Sequence, residues 1–247
     1  MSHLVQDFIY KHVGTYHHYE EDSCDRGRIT NLETLAAVVL KMVHDCMCAI
    51  VYAGESGKVV YDCTEVKGLC NRHNRTEEHL LLHAKNVSVA MGGMAKHFGA
   101  DEAHWMAIGY LHDYDYEQYP EEHLQHTREP LLAAGLTEEE VRAILAHGYG
   151  HCNDVEPVTN LEKSLFTVDE LTGIIQAAAR MRPLGITDME ISSFMKKFKD
   201  KKFAAKCDRE VIKKGCVMLG MEVRDVAAIC IEAMKRHAEE LQLGPKN

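Results

Sequence analysis

Several things are missing from this chain of 247 residues. No stretch approaches the roughly eighteen consecutive apolar residues that a membrane-spanning helix needs, so no membrane span is expected. Positive charge is the minority, with 28 Lys and Arg against 38 Asp and Glu and a formal net charge of −10. That argues against a general nucleic-acid binder, because the phosphate backbone rewards clustered positive charge. The opening MSHLVQDFIYKHVG lacks the basic start and apolar run of a secretory signal. The cysteines, nine of them, are odd in number and scattered. Without an export signal they are expected as free thiols in a reducing, cytoplasmic compartment. Internal repeats and low-complexity tracts are absent, and strand-like patterning is confined to Val59-Val60-Tyr61. Bulk disorder is excluded by composition, with 46% hydrophobic and 27% charged residues.

What is abundant is histidine, 16 in all, set in helical patterning. Residues 1–28 are polar, aromatic and histidine-bearing, and one long apolar helix is expected over about 30–53, stopping at Gly54. It is apolar on nearly every side, so burial within the monomer and a homodimer interface both explain it. From Thr76 onward the pattern stays helical. Helices are expected from Thr76 to Phe98-Gly99, from Asp101 to His112, over 121–134, from Thr137 to His147, from Thr159 or Asn160 to just before Pro183, over 187–195, 208–218 and 222–241. Thr, Asp and Asn stand at most of their starts and Gly or Pro at most of their ends. Short connections between so many helices predict an all-α domain over 75–242, with residues 1–74 as a mainly helical N-terminal extension.

The chemistry-bearing stretch is Gly109-Tyr-Leu-His112-Asp113-Tyr-Asp115-Tyr116-Glu117. An adjacent His-Asp pair at a helix end can place an imidazole nitrogen and a carboxylate oxygen on one metal ion. Two residues cannot complete a coordination shell, and further candidates are His83, His147 and Asp169, each among apolar residues on an expected helix. A lone buried His or Asp is commonly just a satisfied core polar group. Three on separate helices beside a His-Asp pair point to a metal instead.

The order His83, His112-Asp113, Asp169 resembles the metal signature of the HD-domain superfamily. The passage LLHAKNVSVAMGGMAKHFGADEAHWMAIGYLHDYDYEQYPEEH is similar to small, largely bacterial HD-domain hydrolases. LEKSLFTVDELTGIIQAAARMRP and FMKKFKDKKFAAKCDREVI resemble the later segments of that subgroup, so the likeness covers about residues 75–242. It implies an all-helical, HD-domain bundle and metal-dependent hydrolysis of a small phosphorylated molecule such as a nucleotide. It also implies His83, His112, Asp113 and Asp169 as ligands, with His112 and Asp113 at the catalytic centre and Asp113 able to bridge two ions. His123 and His147 match by order the extra histidines of binuclear members, with His126 competing for the place of His123. One or two divalent ions are expected, with Fe, Mn, Co, Ni, Zn and Mg all open. The same ligands also fit a di-iron oxygenase branch, and a helical scaffold or sensor with a structural metal is the non-enzymatic alternative.

Substrate phosphate would need a local reversal of sign in an acidic protein. Lys199, Lys202 and Arg180 are the candidates for it, with Lys196, Lys197, Lys201 and Arg182 nearby. The competing reading is a solvated face, because Phe194 and Phe198 have helical spacing with lysines between them. Glu170, beside Asp169, is a candidate for orienting a histidine ligand. Tyr116 and Tyr119 suit either closure over a substrate or packing. Gly92-Gly93 is expected to allow close helix packing. A second doublet, His44-Asp45, lacks accompanying ligands and reads as coincidence. Cys46, Cys48, Cys63, Cys70 and His73 lack the usual zinc spacing.

Overall fold

A computed structural model of the chain describes residues 52–53, 59–60 and 77–246, all within the unit Met47–Asn247. The expected helix over 30–53 lies outside the described residues except for its last two. These form strand β1 (Tyr52–Ala53), antiparallel to β2 (Val59–Val60), with Tyr52 opposite Val60 and Ala53 opposite Val59. His44-Asp45 and the Cys46, Cys48, Cys63, Cys70 and His73 group also lie outside the described residues.

Apart from that short pairing, the described residues form an all-α bundle. Its helices are α1 (Glu78–Phe98), α2 (Glu102–Leu111), α3 (Arg128–Ala133) and α4 (Glu138–Leu145), then α5 (Asn160–Arg180), α6 (Ile191–Lys199), α7 (Arg209–Leu219) and α8 (Val223–Arg236). Four of the eight start where an oxygen-bearing side chain satisfies an otherwise orphaned amide. Asp101 accepts from the His104 amide at the head of α2, and Asp208 accepts from Glu210 and Val211 at α7. Thr137 with Glu140, and Thr159 with Glu162, form reciprocal capping boxes at α4 and α5. Gly99 and Gly220 close α1 and α7 at φ 65° and 68°, a left-handed conformation open to glycine at little cost.

Three expected helices are corrected. Residues 121–134 are not one helix: a 3-10 turn Pro120–Glu122 is followed by irregular chain, with Leu124 at φ 70°, before α3 begins. The helix expected over 187–195 instead runs from Ile191 to Lys199. Thr187 spends its hydroxyl on the Leu184 carbonyl and Asp188 its carboxylate on Arg182, so neither caps a helix. The last helix ends at Arg236 and not at 241. The chain then turns, yet Leu241 and Leu243 remain buried and continue the apolar pattern.

α1 is central, packing against α2, α5 and α8, while α5 also carries α7. Both long helices are buried on most sides in mid-length, from Asn86 to Ala95 in α1 and through Leu165, Phe166, Leu171, Ile174 and Ile175 in α5. Each large apolar side chain removed from water contributes about 1.5–3 kcal/mol. The Gly92-Gly93 pair does serve close approach. A Cβ on Gly93 would lie 2.8 Å from the Ala233 methyl on α8, and one on Gly92 would lie 2.9 Å from the Met106 side chain on α2. Among the described residues no helix is long and apolar enough to cross a membrane.

Candidate metal centre

Two helix ends aim the key imidazoles. The last four carbonyls of an α-helix have no partner within the helix. His112, directly after α2, donates its Nδ1–H to one of them, the Gly109 carbonyl, at 2.8 Å. His147, in a 3-10 turn Ala146–Gly148 continuing α4, does the same to the Ile144 carbonyl at 2.6 Å. A carbonyl can only accept, so Nδ1 carries a proton in both rings and Nε2 is the atom that faces inward. His83, early in α1, and Asp169, midway along α5, bring the facing donors, with His83 Nε2 and Asp169 Oδ1 2.9 Å apart.

The atoms converge as two groups that share one carboxylate. Asp113 Oδ2 lies 3.2 Å from His112 Nε2 and 3.7 Å from His83 Nε2. Its other oxygen, Oδ1, lies 3.3 Å from His123 Nε2 and 3.7 Å from His147 Nε2. His83 and His112 approach to 3.2 Å between their Nε2 atoms, as do His123 and His147. Asp169 Oδ1 completes the first group at 3.4 Å from His112 Nε2. Ligand-capable atoms of His83, His112 and Asp113 lie within 4.8 Å of one another, as do those of Asp113, His123 and His147, and those of His112, His147 and Asp169. The donor set fits divalent metal: inward-facing Nε2 atoms of His112 and His147, with carboxylate oxygens between them, suit Mn, Fe, Co, Ni or Zn once a metal displaces their protons.

The electrostatics express the same demand for positive charge. Burial by itself would lower the His112 pKa, but the charges of Asp113 and Asp169 outweigh it and raise the group to about 10. His123, also opposed by burial, is raised to about 9 by Asp113 and Asp115. Burial works to raise Asp113 and Asp169, yet the neighbouring imidazoles hold both well below the ordinary carboxylate range.

Asp115 builds the second group. Its buried carboxylate takes His123 Nδ1 at 2.9 Å and the backbone amides of Leu124 and His126 at 3.0 Å each. Those bonds draw residues 123–126 inward over Asp115 and account for the break in the expected helix. They also separate His123 from its competitor. His126 turns outward, bonds Glu122 at 2.6 Å and stacks on Tyr119 at 3.9 Å between ring centroids. Asp115 stands in the stretch that carries His112-Asp113, but nothing in its spacing shows which amides it will reach.

A cavity of about 360 Å³ opens over the cluster and is lined by His83, Asp113, His123, His147 and Asp169 together with Tyr116, His151, Cys152, Phe166, Glu170, Cys207 and Val211. Tyr116 meets the His123 ring edge-on at 5.1 Å. The candidate phosphate readers are elsewhere. Arg180 is three turns beyond Asp169 along α5, about 16 Å away. Lys199 and Lys202 are exposed at and beyond the end of α6, with Phe194 and Phe198 turned into the core, and neither lines the cavity. Glu170 accepts from the Asp208 amide at 2.9 Å and bonds no imidazole. Burial and the adjacent Asp169 charge push its carboxyl pKa upward. Cys152 and Cys207, which no spacing singled out, flank the cavity as free thiols.

No protein-family model, curated protein or solved structure matches this chain. The structure by itself gives an all-helical scaffold whose clustered His and Asp side chains can chelate metal.

Proposed function

We propose that this protein is an HD-type, metal-dependent phosphohydrolase acting on a small phosphorylated molecule, with residues 75–242 as the catalytic unit and 1–74 as an extension. The observation that carries the reading is the placement of Asp113 between two histidine groups, one oxygen toward His83 and His112 and the other toward His123 and His147. His83, His112, Asp113 and Asp169 would hold one divalent ion, and Asp113, His123 and His147 a second. Such ions supply Lewis acidity, polarising a phosphoryl oxygen and lowering the pKa of water.

The chain's own part is to prepare the site. The Gly109 and Ile144 carbonyls lock the tautomers of His112 and His147, and Asp115 does so for His123. Asp113 and Asp169 are engaged by imidazoles on several sides, which makes them poor proton acceptors and fits them for holding cations. The test is turnover of a panel of phosphomonoesters, nucleotides and cyclic nucleotides by manganese- or iron-loaded protein. Metal-dependent hydrolysis that falls at least a hundredfold in Asp113→Ala, with loss of bound metal, is the expected result. No metal-dependent turnover of any ester would sink the reading.

The second histidine group favours one alternative on the same residues, a di-iron oxygenase. It predicts two irons per chain and oxygen consumption with an organic substrate, which an oxygen electrode distinguishes from phosphate release.

A further inference from the structure

The cluster forms the floor of the cavity, and the wall above it governs what a substrate carries besides its phosphoryl group. Among the described residues that line it there is no Lys and no Arg. The nearby cations are engaged elsewhere. Arg209, next to Asp208 at the head of α7, gives its guanidinium to the carbonyls of Phe198, Asp200, Phe203, Ala204 and Cys207. Lys214 lies over the Tyr149 ring, 4.0 Å from its centroid. Phe166, Val211 and Tyr116 offer apolar contact, and burial keeps the Cys207 thiol protonated, its pKa pushed up to about 11.

Glu170 is the exception in this wall. One carboxylate oxygen is taken by the Asp208 amide, and the other has no protein hydrogen bond among the described residues. A half-buried carboxylate beside Asp169, with no Lys or Arg among the described residues bonded to it, carries a desolvation cost that a cationic ligand would relieve. The cavity volume of about 360 Å³ is at the small end of ligand sites, which leaves room for a short chain more than for a second phosphate and a nucleoside.

We infer that the site selects a small phosphoester whose alcohol portion bears an amine, with the phosphoryl group on the metal cluster and the ammonium on Glu170. This rests on the phosphohydrolase reading only in placing the phosphoryl end. Glu170 is a specificity-determining residue in this scheme and takes no part in the bond cleavage.

The test uses ligands that cannot be hydrolysed and differ only at the far end: 3-aminopropylphosphonate, propylphosphonate and 3-phosphonopropionate. Their binding to manganese-loaded full-length protein is measured by calorimetry, for wild type and Glu170→Gln, which keeps an acceptor for the Asp208 amide. The expected result is at least about tenfold tighter binding of the amine than of the alkyl compound, in line with a charge-assisted hydrogen bond. That preference should collapse in Glu170→Gln while propylphosphonate affinity and metal content are unchanged. Should Glu170→Gln lose its metal or its fold, Glu170→Asp takes its place and should retain a reduced amine preference. Equal or tighter binding of the carboxylate compound would overturn the inference and point to Lys214 as the reader of the distal group. An amine preference that survives Glu170→Gln also overturns it. If none of the three binds in a metal-dependent way, the placement of phosphoryl groups on the cluster fails, and this inference fails with it.

Discussion

Asp113 and Asp115 stand two positions apart and do different work. Asp113 faces two sets of imidazoles, whereas Asp115 is 3% exposed and spends its carboxylate on His123 and two backbone amides. Outer groups of this kind typically change metal affinity by about 10–100-fold. If one ion binds at His123 and His147 and another at His83 and Asp169, Asp115→Asn is expected to weaken the first by that factor and to leave the second nearly untouched. Calorimetric titration with manganese would show one weakened site beside one intact site, and equal weakening of both would contradict the division of labour. His83, His112, Asp113, His147 and Asp169 stood out as candidates because a His-Asp doublet and isolated polar residues on apolar faces need a reason to be buried, whereas His123 was implied only by resemblance. Asp115, the Gly109 and Ile144 carbonyls and the Glu170 wall were not, because each acts through a partner brought in by the fold.

At the scale of helices, the clearest sequence signals were the caps. Asp101, Thr137, Thr159 and Asp208 all sit where local chemistry requires them. Two of the three misread boundaries share one cause: a residue able to cap or continue a helix was claimed by another group, as Asp188 was by Arg182 and residues 123–126 were by Asp115. Glu162 shows how much one cap carries. It is buried, ion-paired to Arg142, and accepts the Val158 and Thr159 amides at 2.6 and 2.8 Å. Glu162→Gln should cost about 1–2 kcal/mol at neutral pH, read as a shift in the denaturant midpoint. Burial opposes ionisation of Glu162, but Arg142 and the two amides win and hold its pKa below the ordinary value of 4.5. A depressed folded-state pKa stabilises above the unfolded-state value, and that stabilisation fades as pH falls toward the folded one. The gap between wild type and Glu162→Gln should therefore be full at pH 7 and shrink below about pH 4.5. Gly93→Ala tests the α1–α8 approach: better helix propensity gains about 1 kcal/mol. The clash with Ala233 costs about 1–3 kcal/mol, so a net loss of stability in urea unfolding is expected.

For the molecule as a whole, the all-α class was readable from capping and periodicity. The meeting of α1, α2, α4 and α5 at one point was implied only by resemblance to other chains. If divalent ions occupy that point, they bind the folded state alone, and at a hundredfold excess over the dissociation constant the linkage is about 2.7 kcal/mol. Treatment with a strong chelator should then lower the thermal midpoint by about 5–10 °C for a domain of this size. An unchanged midpoint in differential scanning calorimetry would argue that the cluster is not loaded in the purified protein. The contact between His83 and Asp169 spans 86 positions of chain. At roughly 5–20 residues per second, a ribosome that has made His83 needs several more seconds to deliver Asp169. By the last part of that interval three of the four elements have been synthesised without the fourth, so a half-made chain can gather histidines around a cation before the carboxylate that closes the ring exists.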